Sequence, residues 1–218
     1  MTIASASERR LWRGLVIVLI FPISMALYTN RDPWIDEAML ANNLVEMSVR
    51  QIHHPMPLYE QAAPIGYILL AKLILLSSGI VDPTFALRAL SAAISLIAVL
   101  ILFRLAREEA STASALAVAT VALTSPFFIR YATEIKQYIF DFLATATIAY
   151  AAARIARLGA RRDFVVFLIL SSLGCLFSFI AVIPIVSCLS AAAFRQICRT
   201  TQIWRNEAVG FQRGWRTR

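Results

Sequence analysis

Two short stretches hold most of the side chains that could do chemistry. The first reads Arg31-Asp32-Pro33-Trp34-Ile35-Asp36-Glu37-Ala38, two adjacent carboxylates just after a proline and a tryptophan. The second runs Arg130-Tyr131-Ala132-Thr133-Glu134-Ile135-Lys136-Gln137-Tyr138-Ile139-Phe140-Asp141 and mixes acids, cations and tyrosines. A carboxylate at the edge of an apolar phase can serve as a general base toward an acceptor hydroxyl or amine. Arg130 and Lys136 suit a phosphate or pyrophosphate-like charge, the arginine through its planar fork and the lysine as a point charge. On one continuous helix Glu134, Tyr138 and Asp141 share a face, and Arg130 pairs with Glu134 one turn on. Each stretch also has a plain structural reading. Asp36 can simply cap the helix it opens, and the second stretch can be a salt-bridged turn between two spans.

The elements that must position these groups follow from composition. Of 218 residues 59% are hydrophobic and 16% charged, against roughly 25% charged in an ordinary soluble domain. Mean hydropathy is +0.69. Richness in Leu, Ile, Ala and Phe, with only 7 Gly and 8 Pro, argues against disorder and collagen-like repeats. Net charge is +8, but the arginines sit at the edges of apolar blocks and form no nucleic-acid stripe, so the basic excess reads as membrane topology. Cys175, Cys188 and Cys198 lack zinc spacing and read as apolar fillers. His53 and His54 are adjacent in a Pro-broken loop and cannot both face one metal from a regular helix. The expected fold is all-α, a multi-span transmembrane helical bundle.

A hydrocarbon core of ~30 Å needs ~20 apolar helical residues. Candidate blocks are Leu11–Tyr28, Ala62–Gly79, Ala86–Phe103, Ala110–Ile129, Tyr138–Ala153, Phe164–Phe177 and Ser178–Phe194. Arg9, Arg10 and Arg13 precede the uncharged apolar run Leu15–Met25 without a small-x-small cleavage site after it, which predicts an uncleaved helix with a cytoplasmic N-terminus. If Ala62–Gly79 lies in the interface or is re-entrant, only Arg31, Arg50, Lys72, Arg88, Arg130 and Lys136 of the 21 basic residues remain outside. Lys72 near the middle of that block supports this choice and is expected to snorkel; pairing inside a bundle is the alternative. The charge-free run Phe164–Phe194 is too long for one upright span and reads as a hairpin.

Both chemical stretches then face the outside. After Pro33 a juxtamembrane amphipathic helix is predicted, with Met39, Leu40, Leu44 and Met47 on one face and Asn42, Glu46 and Arg50 on the other. Trp34 belongs at headgroup level, placing Asp36 and Glu37 at the bilayer edge. Gln61-Ala62-Ala63-Pro64-Ile65-Gly66-Tyr67 reads as a helix start whose small residues allow close backbone approach.

The order of these segments, together with Arg88 entering a span and Ser125-Pro126 ahead of the second stretch, resembles integral-membrane glycosyltransferases of the GT-C superfamily. The similarity is to the family 39 branch, including dolichyl-phosphate-mannose protein mannosyltransferases and lipid A aminoarabinose and galacturonic acid transferases. It covers about residues 11 to 194, the N-terminal portion of such an enzyme. The resemblance implies inverting transfer of a hexosyl or pentosyl unit from a polyprenyl-phosphate sugar to a glycan, lipid or protein acceptor at the periplasmic face of a bacterial inner membrane. It maps the base to Asp36 with Glu37 beside it. Donor binding falls to Gln61, Tyr67, Arg130, Glu134, Lys136, Tyr138 and Asp141. The resemblance fixes no cofactor and leaves a divalent cation open, with unknown ligands; the polyprenyl-phosphate sugar is the donor substrate.

One departure is that Gln61-Ala62-Ala63 stands where aminoarabinose relatives carry a lysine before the Pro–Gly–Tyr segment, which shifts phosphate binding to Lys136 or Arg130. The resemblance also implies a truncated module over residues 1–194, with an outer loop 29–61 and an interfacial or re-entrant segment 62–79, followed by a basic cytoplasmic tail 195–218. The bilayer, the lipid-linked donor and the acceptor are the expected partners, and nucleic acid is not. Competing readings are a non-catalytic or degenerate membrane fragment and a transporter of lipid-linked sugar. The latter would want mid-span charges and repeated halves.

Overall fold

The computed structural model describes residues 20–29, 31–54, 56–79 and 82–194. The expectations placed on Arg9, Arg10 and Arg13, on Cys198 and on the tail 195–218 fall outside the described residues. Within the described residues every regular element is helical. Helix α1 is described over residues 20–28. It is followed by α2 (Ile35–Glu46), α3 (Ile65–Ser78), α4 (Pro83–Glu109), α5 (Thr112–Thr124), α6 (Pro126–Ala132), α7 (Tyr138–Leu158) and α8 (Arg161–Phe177). A short 3-10 turn, Phe179–Ala181, leads into α9, residues 182–194. The chain is the all-α helical bundle expected.

Helices α4 and α7, 27 and 21 residues long, are each long and apolar enough to cross a membrane. They run parallel, because Arg157 near the end of α7 pairs with Glu108 and Glu109 at the end of α4. Asp82 starts α4 by accepting hydrogen bonds from the N–H groups of Thr84 and Phe85, with Pro83 in the first turn, where its missing N–H costs nothing. Gly159 ends α7 in the left-handed region at φ 61°, which a side chain would resist. The turn to α8 is held by Arg154 on Asp163 at 2.9 Å.

The block Ala110–Ile129 is not one straight span. It breaks into α5 and α6 with a bend of 69°. Pro126 cannot continue the helical hydrogen-bond ladder and drives Ser125 to an extended ψ of 123°, while the Ser125 hydroxyl caps α6 at Phe128 N–H. The long run after Phe164 is interrupted at Ser178. Ile185 and Cys188 of α9 then pack with Ala144, Ile148, Ala151 and Phe167, so the chain doubles back as a hairpin.

Helix α3 has 14 residues, about 21 Å of rise, too short to cross ~30 Å upright. Lys72 within it does not snorkel. Its ammonium is buried and donates to the carbonyls of Leu44 at 2.8 Å and Val45 at 3.3 Å. Those oxygens close α2, where carbonyls have no helical partner and the dipole favours a cation. Helix α2 buries Leu40 and Leu44, and Met47 just after it is buried too, while Asn42, Glu46 and Arg50 are exposed, as the pattern predicts. Arg50 lies beyond the helix, in the 3-10 turn Val49–Gln51. His53 and His54 are both exposed in the loop that follows.

Candidate functional site

The site is built at the end of the bundle where α4 and α7 begin. Helix α2 starts after Trp34, and its N3 residue Glu37 accepts the Trp34 N–H at 3.1 Å. Capping therefore falls to Glu37. Asp36 lies in the first helical turn with an exposed side chain.

Glu37 is fully buried at 0% exposure, and both its oxygens are engaged. Oε2 accepts from Arg31 at 2.8 Å and from Arg88 at 3.4 Å as well as from Trp34, and Oε1 accepts the backbone N–H of Ile135 at 2.8 Å. Arg88 also donates to the Arg31 carbonyl. One carboxylate thus joins the first loop, α4 and the second polar stretch. Burying a carboxylate is tolerable only with this degree of pairing.

The second stretch is not a continuous helix. Helix α6 ends at Ala132 and α7 opens at Tyr138, leaving 133–137 irregular. Its backbone is held from outside instead: Ile135 N–H by Glu37, and the Glu134 carbonyl by the Ser91 hydroxyl at 2.9 Å. The expected shared helical face of Glu134, Tyr138 and Asp141 gives way to a fold-back that buries Glu134. Arg130 stays 3.9 Å from Glu134 and lies over the Trp34 ring, 4.8 Å from its centroid. Glu134 Oε2 is buried and has no hydrogen-bond partner among the described residues. Burial, and then the negative charge of Glu37, raise the Glu134 carboxyl above its ordinary range, partly offset by Arg130, Arg31 and Lys136.

Lys136 is buried, and its ammonium donates to Gln61 Oε1 at 2.9 Å, while the Gln61 amide reaches Met39 sulfur at 3.8 Å. Gln61 also lines a shallow recess of about 540 Å³ formed by residues 56–62. Tyr138 is half-exposed, packs edge-on against Tyr131 at 5.2 Å, and lies within electrostatic reach of Glu134, Asp36 and Asp141. Asp141 is partly buried and neighbours Ser178 at the turn after α8.

Tyr67 is the exception among the anticipated residues. It is buried against Phe140 at 5.3 Å, and Phe140 stacks on Phe177. Its neighbour Gly66 allows this close approach, for a Cβ there would lie 2.7 Å from the Leu176 carbonyl oxygen.

The structure therefore gathers Asp36, Glu37, Gln61, Arg130, Glu134, Lys136 and Tyr138 at one end and leaves Tyr67 in the packing beneath. Arg31, Arg88 and Tyr131 were not on the sequence-derived roster. Arg88 could have been found, since a charge inside a long apolar helix demands a buried partner. Among the described residues no three His, Cys, Asp or Glu side chains converge as a cation site.

Residues 62–208, well over half of the chain, match the family model described as dolichyl-phosphate-mannose-protein mannosyltransferase. The chain belongs to this family of membrane glycosyltransferases. The matched region contains Arg88 and the whole 130–141 stretch and begins after the Asp36–Glu37 loop. No curated protein and no solved structure matches the chain.

Proposed function

We propose that the chain is the glycosyl-transferring module of an enzyme that moves a sugar from a polyprenyl-phosphate donor to an acceptor hydroxyl or amine, at the periplasmic face of a bacterial inner membrane and with its N-terminus in the cytoplasm. The observation that carries this reading is the division of labour between two adjacent carboxylates. Glu37 is buried and spent on four N–H donors, whereas Asp36 is exposed, within electrostatic reach of Tyr138.

Asp36 is the free base of the pair. It takes the acceptor's proton as the acceptor oxygen or nitrogen attacks the anomeric carbon from the face opposite the phosphate. The bond from that carbon to the phosphate oxygen breaks, and the configuration inverts. Lys136 and Arg130 neutralise the charge that gathers on the departing polyprenyl phosphate. Gln61 sets the Lys136 ammonium, and donor binding extends to Glu134 and Tyr138 and to Asp141, which stands beside Ser178 in the first turn of α7. Glu37 holds the scaffold and leaves the proton transfer to Asp36.

The test is transfer of labelled mannose from polyprenyl-phosphate mannose in membranes containing the protein or its Asp36→Asn variant. Loss of about 100-fold or more, the ordinary contribution of a general base, is expected with insertion unchanged. Equal turnover by the variant rejects the assignment. A wild-type protein that neither transfers nor binds the donor points to a non-catalytic membrane fragment.

A further inference from the structure

The rings of Tyr131 and Tyr138 lie outside the buried core. They lie edge to face at 5.2 Å and remain 39% and 43% exposed. Trp34, exposed as well, stands close by beneath the Arg130 guanidinium. The carboxylates of Glu134, Asp36 and Asp141 act electrostatically on Tyr138. Glu134 is only 6% exposed, yet one of its oxygens has no partner among the described residues.

A partner for this surface must offer an apolar face to the rings and hydrogen-bond donors to carboxylate oxygens. A lipid tail supplies only the first, and a free phosphate has no apolar face and repels the carboxylates. A pyranose supplies both, with a C–H face for the aromatic π-surface and a rim of hydroxyl donors for the acceptors beside it.

We infer that Tyr131 and Tyr138 form the platform on which a sugar ring stacks, with Glu134 and Asp36 accepting its hydroxyls. This rests on the glycosyltransferase reading and assigns Tyr131 as a residue that sets which ring is accepted. Phosphate recognition stays with the more deeply buried Lys136. The ring can belong to the donor or to a glycan acceptor, and the two sources are separable by binding.

The experiment uses the whole chain in lipid nanodiscs and two probes. Saturation-transfer NMR with methyl α-D-mannopyranoside reads a free sugar ring. The affinity ratio between polyprenyl-phosphate mannose and bare polyprenyl phosphate reads a donor-linked one. Tyr131→Leu is expected to reduce at least one signal fivefold or more, and Tyr131→Phe to keep it. Tyr138→Leu is expected to behave as Tyr131→Leu does, and it serves as the second variant where Tyr131→Leu lowers the melting midpoint. Loss in the lipid-linked arm assigns the donor ring; loss in the free-sugar arm alone assigns the acceptor. If both leucine variants match wild type in both arms, the rings are only an interfacial aromatic belt and the inference falls. Neither arm needs turnover. Tyrosine-dependent sugar binding alongside full transfer by Asp36→Asn would sink the proposed base and leave the platform standing.

Discussion

The carboxylate of Glu37 and the backbone N–H of Ile135 meet at 2.8 Å across 98 positions of sequence. This contact fastens the start of α2 to the irregular segment between α6 and α7. It removes from Glu37 the freedom a base needs and fixes the loop that carries Glu134 and Lys136.

Replacing Glu37 with Ala leaves the Arg88 guanidinium buried without its carboxylate and frees Ile135 N–H. The expected loss is about 3–5 kcal/mol of stability. Glu37→Gln keeps the shape and part of the hydrogen bonding and should fall between that variant and wild type. Thermal denaturation in detergent micelles measures both, and an unchanged midpoint in Glu37→Ala would contradict the clamp.

Glu134 sets a pH dependence whose sign follows from burial. Its folded carboxyl titrates above the ordinary value of about 4.5, chiefly because burial penalises the charged form. Between the two values the folded protein binds more protons than the unfolded chain, so stability falls as pH rises through that window. Glu134→Gln removes the effect. The variant's melting midpoint should gain on wild type as pH climbs above 4.5 and lose that gain below it; parallel pH profiles would show that Glu134 carries no such shift.

Gly66 and Gly174 offer a matched pair. At Gly66 an added Cβ meets backbone, the Leu176 carbonyl at 2.7 Å, and α3 must back away from α8. A loss of about 1–3 kcal/mol is expected for Gly66→Ala. At Gly174 the Cβ meets the tip of Ile148 at 3.2 Å, which can rotate aside, so Gly174→Ala should cost less. Chemical denaturation of the two variants side by side checks the order.

Lys72→Met removes the cation that closes α2. Hydrogen bonds from a charged donor contribute about 1.5–3 kcal/mol, and their loss should appear first as faster amide exchange in the last turn of α2, around Asn43 to Met47. Exchange at wild-type rates would mean those carbonyls are satisfied without the lysine.

Composition and apolar block length were enough to indicate a helical membrane bundle, because any chain this hydrophobic must satisfy its backbone internally. The amphipathic face of α2 and the close-packed start of α3 were equally readable, since both depend on side chains a turn or two apart. Ser125-Pro126 carried a readable break, yet the apolar run around it suggested one span; proline's effect on its predecessor won over hydropathy. The fate of Glu134 was not readable. Helical spacing put it beside Tyr138 and Asp141, whereas distant groups, Glu37 and Ser91, claim the backbone that a helix would have used.

Local chemistry in the chain therefore settled the architecture and the two polar stretches that matter, because helix formation, membrane burial and breakage at proline are decided by neighbouring residues. Tertiary contact alone decided which carboxylate of the adjacent pair stays free, and that Arg88 of α4 joins the nearby Arg31 in answering the buried one. Those outcomes depend on which donors arrive from α4 and the 133–137 segment, and charge pairing across such distances leaves no trace in local spacing.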